Sequence, residues 1–252
     1  MPNERTYQIL GSRIDLTSYS EAAAQIVAWS AERTGRYVCV ANVHMVMEAF
    51  DSPDFRSVVN QADLVTPDGM PLVWCLRALG VRRQQRVYGP DLTLHIVKAA
   101  SEHGVPVGFY GGDSGALQRM ADVLYASFPG LKIAYQYSPP FHALTVEEDN
   151  VIVTDIGLSG ARILFVGLGC PKQERWMFEH RQRLPLVMIG VGAAFDFIGG
   201  TKRQAPAWMQ RIGLEWLFRF FQEPGRLWRR YLCQNPRFVW FVIWQLLGSK
   251  RS

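Results

Sequence analysis

Short apolar runs alternate with stretches of helical periodicity along the first two hundred residues. Runs of four to six residues at 37–41, 63–66, 106–110, 132–135, 162–167 and 186–191 have the length of buried strands. Between them, residues 18–33, 43–60 with a break at Pro53, 71–79, 90–103, 114–128, 145–158 and 171–184 carry helical patterns. Strands of this length separated by such helices predict βαβ crossovers and a mostly parallel sheet. Sheets of that kind hold ligands beyond the C-terminal ends of their strands. Candidate chemistry is therefore sought just after each run.

After Thr201 the pattern is helical only. Pro224-Gly225 and Asn235-Pro236 predict a division into three short helices, because proline opens a helix but does not continue one. Trp208, Ile212, Trp216 and Phe220 recur every four residues, a stripe that reads most simply as core. The expected organisation is an α/β core over 1–201 with a helical appendage over 202–252.

Charge sharpens that division. The 252 residues carry a net charge of +5, yet residues 202–252 hold ten Lys or Arg against Glu215 and Glu223, which leaves the core about −3. The same tail holds five of the eight tryptophans. Cationic and aromatic together suit an anionic phospholipid surface or single-stranded nucleic acid. A cap whose arginines face water is the plainer alternative. The composition, 48% hydrophobic and 19% charged, excludes a disordered chain. Cys39, Cys75, Cys170 and Cys233 lie scattered, as in a reduced cytoplasmic protein. The first residues show no basic segment leading into an apolar run, so no secretory leader is expected. The longest apolar stretch, 238–247, is half the roughly 20 residues that cross a bilayer.

Four segments that follow strands carry polar groups. Asn42 ends the first, as a helix N-cap or as a ligand contact. In the second, Thr66-Pro67-Asp68-Gly69-Met70-Pro71 sets one carboxylate between two prolines; it starts a helix or serves as a rigidly held base. Gly108 to Gly115 in the third is glycine-rich, which suits a tight turn or the approach of a phosphate to backbone N–H groups. The fourth, Gly167-Leu168-Gly169-Cys170-Pro171-Lys172-Gln173-Glu174, places a cation, an amide and a carboxylate on the first turn of a helix. Such a set suits a nucleotide sugar, though a purely structural role fits equally. No HExxH or GxSxG pattern is present, and no DxD pair suggests a divalent ion. Arginines would then neutralise a departing diphosphate.

Asp68-Gly69, Arg86-Val87-Tyr88-Gly89-Pro90-Asp91-Leu92, Gly167 through Glu174, Val191-Gly192-Ala193-Ala194-Phe195-Asp196, Arg203 with Ala205-Pro206, and Gly213-Leu214-Glu215-Trp216-Leu217 occur in that order. Together they closely resemble the WecG/TagA/CpsF glycosyltransferases, family 26, over nearly the whole chain. The resemblance implies a Rossmann-like core with a C-terminal helical appendage, the GT-E type. It also implies inverting, metal-independent transfer of a hexosyl or N-acetylhexosaminyl group, without a cofactor, from a UDP-sugar to a polyprenyl-diphosphate-linked sugar. Such transfer serves bacterial surface polysaccharide synthesis on the inner face of the cytoplasmic membrane.

Carried over motif by motif, Asp68 matches the catalytic base. Asn42, Arg86 and Gln173 match pocket residues, with Lys172, Glu174 and Arg203 as further substrate contacts. Arg219, Arg226 and Arg229 match appendage arginines that close over the donor diphosphate. Two departures stand out: Val40 occupies a position where the family commonly has Thr, and Arg203-Gln204-Ala205-Pro206 replaces Arg-Ala-Pro. The expected partners are the donor, the lipid-linked acceptor and an anionic membrane surface, with no nucleic acid; association of identical chains is left open. The rival reading is a noncatalytic nucleic-acid-binding protein that uses the tail, and it leaves the strand-end motifs of the acidic core unexplained.

Overall fold

In the computed structural model, which describes residues 6–140 and 142–249, all six apolar runs are strands of one parallel sheet. The element order is β1 (Thr6–Ile9), β2 (Ser12–Asp15), α1 (Tyr19–Glu32), β3 (Arg36–Ala41), α2 (Val43–Asp51), α3 (Pro53–Asn60), β4 (Leu64–Pro67), α4 (Met70–Ala78), α5 (Gly89–Glu102), β5 (Val107–Gly111), α6 (Ser114–Ser127), β6 (Ile133–Tyr137), α7 (Val146–Leu158), β7 (Ile163–Gly167), α8 (Lys172–His180), β8 (Val187–Gly190) and α9 (Ala194–Ile198). Appended to these are α10 (Ala207–Arg211), α11 (Glu215–Gln222), α12 (Pro224–Trp228), a π-helical segment (Arg229–Gln234) and α13 (Asn235–Ser249). Residues 1–5, on which the expectation of no secretory leader falls, and 250–252 of the appendage lie outside the described residues.

The sheet order is β4-β3-β8-β7-β5-β6. From β3 the chain passes outward to β4, crosses to β5 and β6, and fills inward through β7 to β8, so the two halves meet between β3 and β8. Alternate residues feed two cores. Tyr37, Cys39 and Ala41 pack beneath α2, α3 and α8, while Val38 and Val40 face α1 and α5. The N-terminal antiparallel pair β1 and β2, unmarked by any apolar run, buries Ile9 and Ile14 in the first of these cores.

The appendage departs from the expected three helices in two places. Asn235-Pro236 does not break the chain: α12, the π-helical segment and α13 are contiguous. A prolyl ring clashes with the carbonyl one turn earlier in an α-helix, and the wider i→i+5 turn just before Pro236 eases that crowding. The second departure is at Gly213, whose φ of 73° separates α10 from α11. The stripe of Trp208, Ile212, Trp216 and Phe220 is therefore not one helical face, and Trp208 and Ile212 are exposed, not core.

The far end of the appendage is pinned to the core. Phe238 and Val242 of α13 join the first core, and Phe241 packs on Phe50 with ring centroids 4.7 Å apart. Arg237 grips Asp51 through two nitrogens at 2.7 and 2.9 Å, and Gln245 accepts a hydrogen bond from the Leu10 N–H at 2.8 Å. Val239, Trp240, Ile243, Trp244 and Leu247 remain exposed on the outer side of the same helix. Among the described residues, no helix is long and apolar enough to cross a membrane.

Candidate active site

A pocket opens where β3 and β4 end, and α11 and the π-helical segment close its other side. Asn42, His44, Asp68, Arg86, Gln210, Glu215, Trp216, Arg219, Arg230 and Tyr231 contribute to its lining. Its free space is about 90 Å³, room for some three waters at roughly 30 Å³ each. Clefts that enclose a whole ligand are several times larger, roughly 300–1,000 Å³. Only part of a large substrate fits while the appendage is docked.

Backbone pairing fixes Asp68. Its N–H donates to the Ala41 carbonyl at 2.8 Å, continuing the β3–β4 ladder, and the Val87 N–H donates to Pro67 at 2.9 Å. The carboxylate accepts one hydrogen bond among the described residues, from Arg86 Nη2 to Oδ1 at 3.2 Å. Arg86 Nε donates to the Asp68 main-chain oxygen, and Nη2 also reaches Glu215 Oε2 at 2.7 Å. The guanidinium lies on the Tyr88 ring, 4.0 Å from its centroid. Burial pushes the Asp68 carboxyl up to about 6; Arg86 opposes the rise, Glu215 adds to it and Arg219 opposes it. The buried Tyr88 hydroxyl has no hydrogen-bond partner among the described residues.

The N-cap reading of Asn42 holds, and the residue also lines the pocket. Its Oδ1 caps α2 by accepting from the Met45 N–H at 3.2 Å, and it also accepts from Arg230 Nη2 at 3.3 Å. Arg219 and Arg230 form no salt bridge among the described residues, although both reach into the pocket wall. Arg219 lies over Phe197 at 5.3 Å. Burial holds the Arg230 guanidinium below its ordinary range, and Arg219 adds to that effect. Both are partly buried, and against that burial the Glu215 and Asp68 carboxylates nearby help to hold Arg219 above its ordinary range. With no direct ion pair, the two guanidinium groups can take up a further anion.

The remaining sequence candidates lie elsewhere. Gln173 and Glu174 are buried and do not line the pocket; Gln173 Oε1 accepts from the N–H groups of Gly169 and Gly192, each at 3.1 Å. Gln173 thus joins the loops after β7 and β8, and its Nε2 donates to Glu174 Oε1 at 2.7 Å. Lys172 is exposed, and Arg203 is exposed with its carbonyl accepting from Gln222. Arg226 is exposed and paired with Glu223, and Arg229 is exposed over the Trp228 ring. Arg219 alone of the three appendage arginines picked out by resemblance enters the pocket as described. The glycine-rich third segment is explained by packing, since a Cβ on Gly111, where φ is 117°, would meet the Gly167 backbone at 2.6 Å.

The sequence reading missed Arg230, His44 and Glu215 as pocket residues. Arg230 was passed over because the resemblance matched its neighbour Arg229. The Gly213 to Leu217 motif did contain Glu215, without a signal that its side chain turns back towards Arg86.

A model of the WecG/TagA/CpsF family of glycosyl transferases matches residues 7–252. The chain belongs to that family. It is similar, at 30% identity over 84% of this chain and 80% of the relative, to an N-acetylglucosaminyldiphosphoundecaprenol N-acetyl-beta-D-mannosaminyltransferase of Bacillus spizizenii. A protein of the same name from Staphylococcus aureus is 26% identical over 95% of this chain and 93% of its own length.

Glu174 makes one prediction independent of substrate. Burial pushes its carboxyl from the ordinary 4.5 up to about 7, with the Gln173 hydrogen bond the main opposing effect, and its Oε2 has no hydrogen-bond partner. The fold favours the protonated form. The stability it contributes below about pH 4.5 is therefore lost as pH rises through about 7, roughly 3 kcal/mol in all. Urea unfolding from pH 5 to 8 is expected to show that fall, with Glu174→Gln flattening it. An identical slope in the variant would refute the assignment.

Proposed function

We propose that this glycosyltransferase moves an N-acetylmannosaminyl group from UDP to a polyprenyl-diphosphate-linked N-acetylglucosamine, with inversion and without a metal. The observation that carries this reading is the pair of partly buried guanidinium groups, Arg219 and Arg230, that make no direct salt bridge among the described residues and line one pocket with Asp68. The names of the relatives supply the sugar and the lipid carrier.

Transfer is a single displacement. Asp68 takes the proton of the acceptor hydroxyl as that oxygen attacks the anomeric carbon from the face opposite UDP. The bond from that carbon to the phosphate oxygen breaks, and Arg219 and Arg230 take up the charge left on the diphosphate. A carboxyl near 6 is mostly ionised at pH 7 yet a stronger base than an ordinary aspartate, which is the compromise general-base catalysis needs. Donor entry requires the appendage to lift, because the docked pocket holds only the diphosphate region.

The acceptor's lipid has a natural path. An apolar groove of about 880 Å³ shares Val43, Pro71, Gly213, Trp216, Tyr231 and Asn235 with the pocket and continues along Trp74, Trp240 and Ile243. Chain carbons laid there would leave the diphosphate-linked sugar beside Asp68. The exposed side of α13 then faces the acyl layer while the tail's bases meet anionic headgroups, at ~1 kcal/mol each near the surface. This arrangement would seat the protein peripherally on the membrane that carries its acceptor.

UDP release tests the reading. Mixing the full chain with a panel of UDP-sugars and a soluble prenyl-diphosphate-linked N-acetylglucosamine should give turnover with UDP-N-acetylmannosamine above all others. Excess EDTA should leave the rate within about twofold, since arginines fill the electrostatic role of a divalent ion. Loss of turnover with EDTA, restored by magnesium or manganese, would refute the metal-independent mechanism. Turnover with a different UDP-sugar would replace the donor assigned here.

A further inference from the structure

One nitrogen of Arg86 serves two carboxylates from distant parts of the chain. Nη2 donates to Asp68 at 3.2 Å and to Glu215, in the first turn of α11, at 2.7 Å. The three side chains are only 11–16% exposed, so water screens these charges weakly. The shorter bond goes to the appendage. Without Glu215, Arg86 would have Asp68 as its sole anionic partner among the described residues.

A carboxylate fully engaged by a guanidinium is a poor base, because the ion pair stabilises its ionised form. Sharing the guanidinium with a second carboxylate weakens that hold, and the second negative charge favours the proton further. We propose that Glu215 is a positioning residue: by drawing Arg86 towards the appendage, it loosens that guanidinium's hold on the Asp68 carboxylate, so that the carboxylate takes the acceptor's proton most readily when the appendage is docked. This rests on the reading of Asp68 as the base, and it gives the Gly213 to Leu217 motif a task in the reaction. It also ties activity to the event that closes the pocket, so that a core with its appendage lifted is a poor catalyst.

The groups around Asp68 come from several elements. Arg86 and Tyr88 lie just before α5 and at its cap, Glu215 and Arg219 on α11, Arg230 on the π-helical segment and Tyr19 on α1, while His44 of α2 lines the same pocket. Asp91 of α5 is a further carboxylate near Arg86 and Glu215, while Glu215 is the one carboxylate hydrogen-bonded to the Arg86 nitrogen that also holds Asp68. Burial is the largest cause of the rise at Asp68, and Glu215 is the neighbour that adds to it.

The test is the pH dependence of kcat/KM, measured on the full chain with UDP-N-acetylmannosamine and the soluble lipid-linked acceptor. Glu215→Gln keeps shape and removes charge. Its acidic limb is expected to move down by roughly one pH unit, with turnover at pH 7.5 reduced by up to about tenfold as the base weakens. Glu215→Asp, whose carboxylate is drawn back by one methylene, should shift the limb the same way by less, and serves if the Gln variant does not fold. A folded variant with lower turnover and an unmoved acidic limb would reduce Glu215 to a structural contact and overturn the proposal. Near wild-type turnover by Asp68→Asn would instead overturn the base assignment, a failure the limb positions cannot imitate.

Discussion

Asp68→Asn is expected to lower kcat by ~10²- to 10⁴-fold, the usual worth of a general base, while UDP affinity stays within a few-fold. Asparagine keeps the side chain's shape and its carbonyl can still accept from Arg86 Nη2, so the pocket is preserved and only the proton acceptor is lost. The same change should make the protein more stable above neutrality. The folded carboxyl titrates near 6, above its ordinary value, so the stability it contributes at low pH is lost as pH rises through 6. At pH 8 the buried charge costs up to roughly 3 kcal/mol, which asparagine avoids. UDP-release kinetics and thermal unfolding at pH 8 check both halves. A variant with near wild-type turnover would remove Asp68 from the mechanism.

The second large effect separates four arginines that look alike in sequence. Arg219→Ala and Arg230→Ala are each expected to cost ~10²- to 10³-fold in kcat, comparable to removing a preorganised donor to a developing anion. Arg226→Ala and Arg229→Ala should stay within a few-fold on a soluble acceptor, since one is paired with Glu223 and the other lies exposed over Trp228. Family resemblance favours Arg219, Arg226 and Arg229, so the contrast of Arg230 with the last two is decisive. Severe losses in those two with a mild one in Arg230 would mean that the appendage repacks around the bound donor. Deleting residues 203–252 is a blunter experiment than the sequence suggests, because it strips Phe238 and Val242 from the first core and leaves Phe50 uncovered. Loss of activity in that truncation would mix lost chemistry with lost packing.

Much of the core was legible in the sequence. Buried parallel strands read as short apolar runs bounded by polar residues, and all six lie within a residue or two of the stretches that predicted them. Asp68 and Asn42 could be singled out because chemistry in such sheets follows the strand ends, a rule of topology and not of side-chain detail. The hairpin of β1 and β2 escaped notice because its four-residue strands carry mixed polar and apolar residues and are stabilised by what they pack against.

Tertiary structure alone decided the rest of the site. Gln173 and Glu174 have the residue types of a ligand contact, and only packing shows both buried, with Gln173 tying two loops together and holding Glu174. The charge pattern of the tail fixed its cationic character, yet which of the adjacent Arg229 and Arg230 enters the pocket depends on how the appendage packs on the core. Glu215 meets Arg86 across 129 residues of sequence, a contact that no periodicity encodes. A sequence determines which faces are apolar and where strands end; which distant charges then share one guanidinium depends on how those faces close.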